Sequence, residues 1–139
     1  MNTFKFTNAK GAVSYGRYQI VPADGAHYLT DAEAAKMAHD YLASEIGQRV
    51  ARAPVKFRLM LQIAQSGDVL NDPSVAWPDS RRTVELGVLF ITKLAPDNNE
   101  AQHRLLFLPN ALPASIEVQD PMVNARSASY VVSFGRRQQ

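Results

Sequence analysis

Residues 120–137 read Asp-Pro-Met-Val-Asn-Ala-Arg-Ser-Ala-Ser-Tyr-Val-Val-Ser-Phe-Gly-Arg-Arg, which sets a thioether, two guanidinium groups and a phenol at helical spacing. Met122, Arg126 and Tyr130 are four residues apart and Arg137 follows Tyr130 by seven, so in a helix all four share one face. A phenol binds a metal poorly at neutral pH unless its anion is favoured. An arginine one turn earlier supplies that condition. It stays protonated and can donate to the phenolate oxygen while a ferric ion approaches from the other side. A tyrosinate-ligated haem is the chemistry such a face would serve. The same stripe also fits plain packing, with Tyr130 in the core and Arg126 bonded to its hydroxyl or to solvent.

The helix that must carry this face has its own boundary signals. Asp120 can accept the free N–H groups of a first turn, and Pro121 suits a first position that needs no N–H. Gly135 marks the expected stop.

Ahead of that helix the periodicity changes several times. Phe4 and Phe6 alternate with polar neighbours, and the loop at residues 8–11 joins them to a second alternating run at 12–21, which predicts a β-hairpin ended by Pro22. Thr30 and Glu33 then form a capping box with Leu29 placed as its hydrophobic staple. Apolar residues follow at Ala34, Met37, Ala38, Tyr41, Leu42, Ile46 and Val50, the stripe of one helix or of two joined near Asp40. Pro54 ends it. Residues 56–65 alternate cleanly, with Phe57, Leu59, Leu61 and Ile63 on a core face and Lys56, Arg58, Met60 and Gln62 on a partly wet one. A fourth strand is expected at 83–94 with Val84, Leu86, Val88 and Phe90 facing the core. Residues 95–121 read as an irregular connection, with a short helix or strand around 101–107.

The fold class expected is therefore α+β: an antiparallel four-stranded sheet or half-barrel, a helical segment between strands two and three, and a C-terminal helix. In a half-barrel the first strand (3–8) and the fourth (83–94) would be exposed edges that seek partners.

Blocks along nearly the whole chain carry a resemblance. They are Phe4-Lys-Phe-Thr-Asn-Ala-Lys-Gly, Tyr18-Gln-Ile-Val-Pro, Val55-Lys-Phe-Arg-Leu, Gly67-Asp-Val-Leu-Asn-Asp-Pro-Ser-Val-Ala-Trp-Pro, Val84-Glu-Leu-Gly and Ile116-Glu-Val-Gln-Asp-Pro-Met, followed by Arg126 and Tyr130. In this order they resemble the later half of a small catalase-related haem peroxidase. The resemblance implies one catalase-like domain over residues 1–139, haem b as cofactor and a peroxide as substrate. It makes Tyr130 the proximal iron ligand, Arg126 the partner of its phenolate, Met122 a haem-packing residue and Arg137 a partner of a haem propionate. The family usually has glycine before the Ile-Glu pair, where this chain has Ser115. In the family the peroxide side is built by an N-terminal portion with a distal histidine and an asparagine, and this chain is expected to start after that portion. None of His27, His39 and His103 stands in a matching context.

Composition narrows the remaining classes. At 139 residues with 46% hydrophobic content the chain can build one core. Its 15 basic and 13 acidic residues are dispersed, so the pI near 9.0 makes no basic patch and no nucleic-acid partner is expected. With no cysteine there is no thiolate site or disulfide, and the start has no apolar signal region, so a cytoplasmic location without membrane contact is expected. Asp68, Asp72 and Asp79 lack calcium-loop spacing, and Lys56 and Arg58 fit an ordinary solvated strand face better than an anion site. Two functions remain. One is part of a peroxide-decomposing haem enzyme whose distal base lies elsewhere. The other is a truncated, non-catalytic domain that folds as a dimer, with a second copy in place of the missing half, and binds haem weakly or not at all.

Overall fold

The alternation at the start of the chain forms β1 (Phe4–Thr7) and β2 (Val13–Pro22) in a computed structural model that describes residues 1–139. They pair antiparallel, Phe4 opposite Gly16 and Thr7 opposite Val13. Asn8 closes the turn: its Oδ1 accepts the N–H groups of Lys10 and Ala12 at 2.9 Å each. Gly11 sits at φ 78°, a left-handed conformation that costs glycine nothing.

Thr30 and Glu33 form the expected capping box, but the helix they open, α1 (Asp31–Ala34), lasts one turn. After a break, α2 (Tyr41–Arg52) begins behind Asp40, so the segment is two helices. The break also interrupts the 3.6-residue period, and residues before and after it no longer share a face. Leu29, Met37 and Leu42 consequently stay exposed, and only Val50 is buried.

β3 (Val55–Ile63) runs antiparallel to β2, Gly16 opposite Ile63 and Pro22 opposite Phe57. Gln62, expected on the wet face, is buried because the following loop covers it, and its Nε2 donates to the Pro78 carbonyl at 3.2 Å. β4 (Thr83–Ile91) corrects the expected core face. Met60 lies opposite Glu85 and Leu59 opposite Gly87, so Leu86 is an inserted residue, a β-bulge. One inserted residue moves everything beyond it to the other face of the sheet. Val84 therefore stays with Leu61, whereas Val88 and Phe90 stand opposite Arg58 and Lys56, and Leu86, Val88 and Phe90 are all exposed.

The stretch expected to be irregular holds α3 (Asn98–His103), capped by Asp97, and a fifth strand, β5 (Ile116–Val118). β5 pairs antiparallel with β1, Phe4 opposite Val118 and Phe6 opposite Ile116. The sheet order is β4-β3-β2-β1-β5 and the sheet is not closed. β1 is thus an interior strand, not the edge expected of it. The C-terminal helix α4 (Met122–Arg137) runs through Gly135, which has no positive φ, and is capped by Gln138. Gly135 does not stop it because Arg137 and Gln138 bond back to the carbonyls of Leu105 and His103, which holds the last turn helical. The α+β class, the helical segment between the second and third strands and the C-terminal helix are as expected.

The largest fully buried side chain of the molecule is a cation. Arg17, 1% exposed, donates from Nε to Thr3 Oγ1 at 2.9 Å, from Nη1 to the Val75 carbonyl at 2.6 Å, and from Nη2 to the carbonyls of Val69 and Asp72 at 3.2 and 3.1 Å. Its guanidinium lies 4.1 Å from the centroid of the Trp77 ring, and Trp77 Nε1 donates to the Val69 carbonyl at 2.9 Å. One side chain therefore ties the loop of residues 69–77 to the start of β1.

Candidate functional site

On α4 the four-residue spacing brings Arg126 over Tyr130. The Tyr130 hydroxyl oxygen accepts from Arg126 Nε at 3.2 Å and Nη2 at 2.8 Å. Two donors from one charged group aim at one phenol oxygen, the arrangement that suits an anionic acceptor. The remaining arm, Nη1, donates to Asn2 Oδ1 at 3.0 Å. Asn2 Nδ2 in turn donates to Asp120 Oδ2, while Asp120 Oδ1 accepts the Met122 N–H at 2.9 Å. Asp120 is almost wholly buried, so its orientation is fixed.

The fold explains why Asn2 reaches this point. β5 lies beside β1, and the Gln119 N–H donates to the Thr3 carbonyl at 3.0 Å, so the chain start meets the start of α4. Arg17 pins Thr3 from the other side.

A cavity of about 580 Å³ lies beside these groups, between residues 105–109 and the Arg126, Tyr130, Ser133 and Arg137 row of α4. The 105–109 wall is Leu-Leu-Phe-Leu-Pro, and Phe107 is 72% exposed. Arg137 holds wall and helix together, Nη1 donating to Ser133 Oγ and Nη2 to the Leu105 carbonyl, both at 3.0 Å. Gln138 Nε2 adds a bond to the His103 carbonyl at 2.6 Å.

Of the four residues picked from the sequence, Arg126, Tyr130 and Arg137 line one cavity. Met122 does not line it and is 53% exposed. None of the three histidines lines it either. Asp68 and Asp72 spend their carboxylates locally, the first on Arg81 and the Gln65 N–H, the second on Ser74. Asn2 was not legible in the sequence, because it is 124 residues from Arg126, whereas the 105–109 wall lies in the irregular stretch where the sequence offered Phe107 as an apolar anchor and the family resemblance implied a cover over the haem.

Comparison with known proteins is consistent along the whole chain. The family model described as Catalase matches residues 1–137. The catalase-related peroxidase of Synechococcus elongatus is 33% identical over 138 residues, which cover 99% of this chain and 41% of that protein. The catalase-related peroxidase of Mycolicibacterium paratuberculosis is 30% identical over 138 residues, 99% of this chain and 44% of that protein. The chain thus spans about two fifths of the length of the curated relatives it matches. Among solved structures, a bacterial catalase superposes with a TM-score of 0.83 at 20% identity over 98% of this chain and 29% of its own. A fungal catalase gives 0.84 at 20% identity, covering 97% and 29%, and catalase A from Saccharomyces cerevisiae gives 0.78 at 21%, covering 97% and 30%. At that identity the structures establish a shared fold. No helix is long and apolar enough to cross a membrane.

Proposed function

The chain belongs to the catalase family, and from that membership we propose that residues 1–139 act as one unit forming the proximal side of a haem b site, in a protein that decomposes hydrogen peroxide or organic peroxides. The observation that carries this reading is the double donation of Arg126 to the Tyr130 oxygen at the wall of the cavity.

The residues present fit such a cofactor. The cavity volume lies within the ~300–1,000 Å³ usual for ligand sites. One wall is apolar, as a flat macrocycle requires, and a cation, Arg137, stands on the other wall. When bound there, haem supplies the redox chemistry that breaks the peroxide O–O bond. Tyr130 would hold the iron through its phenol oxygen, to which Arg126 donates. Asn2 and Asp120 fix the guanidinium in place. Residues 105–109 would line one face of the group and Arg137 would offer a donor to a propionate, while Met122 stands outside the cavity lining.

Peroxide cleavage also needs a base within hydrogen-bond reach of the peroxide proton, about 2.6–3.2 Å. No histidine of these 139 residues lines the cavity, so that base comes from outside them in this reading. The same observation favours the second reading, in which these residues alone are non-catalytic and bind haem weakly or not at all.

Haemin titration of the purified chain, followed in the Soret region and at the tyrosinate charge-transfer band, tests the proposal. A saturable complex that loses its charge-transfer band in Tyr130→Phe, with unchanged far-UV circular dichroism, supports it. In Arg126→Leu the complex should weaken without disappearing, because the ligand atom remains. A charge-transfer band that survives Tyr130→Phe assigns the iron to another residue and refutes the proposal. No saturable binding leaves the second reading.

A further inference from the structure

The hydrogen bonds that reach Tyr130 do not begin at Arg126. The Arg126 guanidinium is a rigid planar fork, with Nε and Nη2 on the Tyr130 oxygen and Nη1 on Asn2 Oδ1. A displacement of Asn2 therefore turns the fork and carries both donors off the phenol oxygen. Asn2 cannot absorb such a displacement by turning its amide over. Its Oδ1 faces a guanidinium, which has no acceptor, and its Nδ2 faces the Asp120 carboxylate, which when ionised has no donor. Asp120 is 1% exposed and its other oxygen accepts the Met122 N–H, so it does not follow Asn2.

One planar peptide joins Asn2 to Thr3, which is wholly buried and held on two sides. The Thr3 carbonyl accepts the Gln119 N–H at 3.0 Å. Its hydroxyl, on a β-branched side chain with little rotamer freedom, accepts from Arg17 Nε at 2.9 Å. Arg17 is fixed in turn by the carbonyls of Val69, Asp72 and Val75 and by the Trp77 ring. The two buried charges also act on each other: burial lowers the Arg17 pKa, and the Asp120 carboxylate pulls it back up. Every group in this series belongs to this chain, and Arg17, Thr3, Trp77 and Asp120 are buried within it.

We infer that Arg17 is a positioning residue for the Arg126–Tyr130 pair, acting through the Thr3 hydroxyl and Asn2. The loop of residues 69–77 thereby sets the direction in which two donors meet the Tyr130 oxygen, although no residue of that loop lines the cavity. The consequence for haem rests on the reading of Tyr130 as the iron's ligand; the coupling itself does not.

Two Thr3 variants test this. Thr3→Val removes the acceptor and leaves Arg17 its three carbonyls, whereas Thr3→Ser keeps the acceptor. The first readout needs no haem: exchange of the Arg126 Nε proton with water, followed by proton–nitrogen NMR and assigned by its loss in Arg126→Leu. It should speed up about fivefold in Thr3→Val, the size expected of coupling through a packed network. It should stay close to wild type in Thr3→Ser, and backbone amide exchange along α4 should not change in either. The second readout is haemin affinity, which should fall about fivefold in Thr3→Val but not when Asn2→Ala is already present, because the link is then cut. If Thr3→Val loses its far-UV circular dichroism, Thr3→Ala deletes the same oxygen and reads the same quantities. Unchanged Arg126 Nε exchange in a folded variant lacking the hydroxyl overturns the inference. So does an equal change in Thr3→Ser, an equal rise in the α4 backbone amides, or losses of haemin affinity that simply add in the double variant. A chain that binds no haemin counts against the ligand reading alone, and the exchange measurement then decides the coupling.

Discussion

Replacing Arg17 with methionine removes the cation on which the loop of residues 69–77 and the start of β1 converge. The guanidinium makes four hydrogen bonds, each worth about 1.5–3 kcal/mol for a charged donor. Its contact with Trp77 adds up to ~2 kcal/mol when desolvated. Against these stands the cost of burying a cation, several kcal/mol. Burial does push the Arg17 pKa down, against the opposing pull of Asp120, Asp68 and Asp72. Removing one member of such a buried arrangement typically costs about 3–5 kcal/mol. The lower end applies here, because the Val69 carbonyl keeps its bond from Trp77 and a methionine thioether refills part of the volume. We therefore expect a loss of about 3 kcal/mol, a large fraction of the ~5–15 kcal/mol of an ordinary domain. Trp77 is the sole tryptophan and is buried against Arg17, so its fluorescence during urea unfolding reports both stability and site. Arg17→Lys should fall close to Arg17→Met, since a lysine keeps the charge but cannot reach three carbonyls with one planar fork. Stability within ~0.5 kcal/mol of wild type in Arg17→Met, with unchanged emission, would refute the reasoning.

At Gly16 a Cβ would stand 2.8 Å from Leu61 Cγ and Cδ1 and 3.0 Å from the Gln62 carbonyl oxygen. Gly16→Ala should therefore cost about 1–3 kcal/mol by urea denaturation, as overpacking does; an unchanged midpoint would mean that β2 and β3 separate freely there. The Arg81 guanidinium and the Gln65 N–H hold the Asp68 carboxyl below the usual carboxylate range. Its stabilisation is complete above the unfolded value of about 3.9 and is lost as pH falls through the lower folded value. Asp68→Asn should therefore be less stable than wild type near neutral pH and converge with it in acid; parallel stability curves from about pH 6 to about pH 2 would show that the pair contributes nothing. The haem-loaded chain should release oxygen from hydrogen peroxide no faster than free haemin, measured with an oxygen electrode, because no histidine lines the cavity. Rapid release would place a competent base within these 139 residues.

Much of the fold was legible because its causes are local. The β1–β2 hairpin follows from alternation around Asn8 and Gly11, and the start of α4 from Asp120 and Pro121. Arg126 meets Tyr130 because residues four apart in any helix lie one above the other. What needed the tertiary structure depends on partners far along the chain or on a count that no local pattern records. The Leu86 bulge is one such count: β4 by itself reads as a regular alternation, and only its pairing with β3 shows that Met60 and Leu59 skip a residue. β5 is too short to announce itself and exists because β1 offers it a ladder. Asn2 acquires a role at Arg126 because β1 and β5 return the chain start to the start of α4. Arg17 sits in a run that reads as half-exposed strand, yet it is buried, because carbonyls from residues 69, 72 and 75 satisfy a charge that could not otherwise leave water.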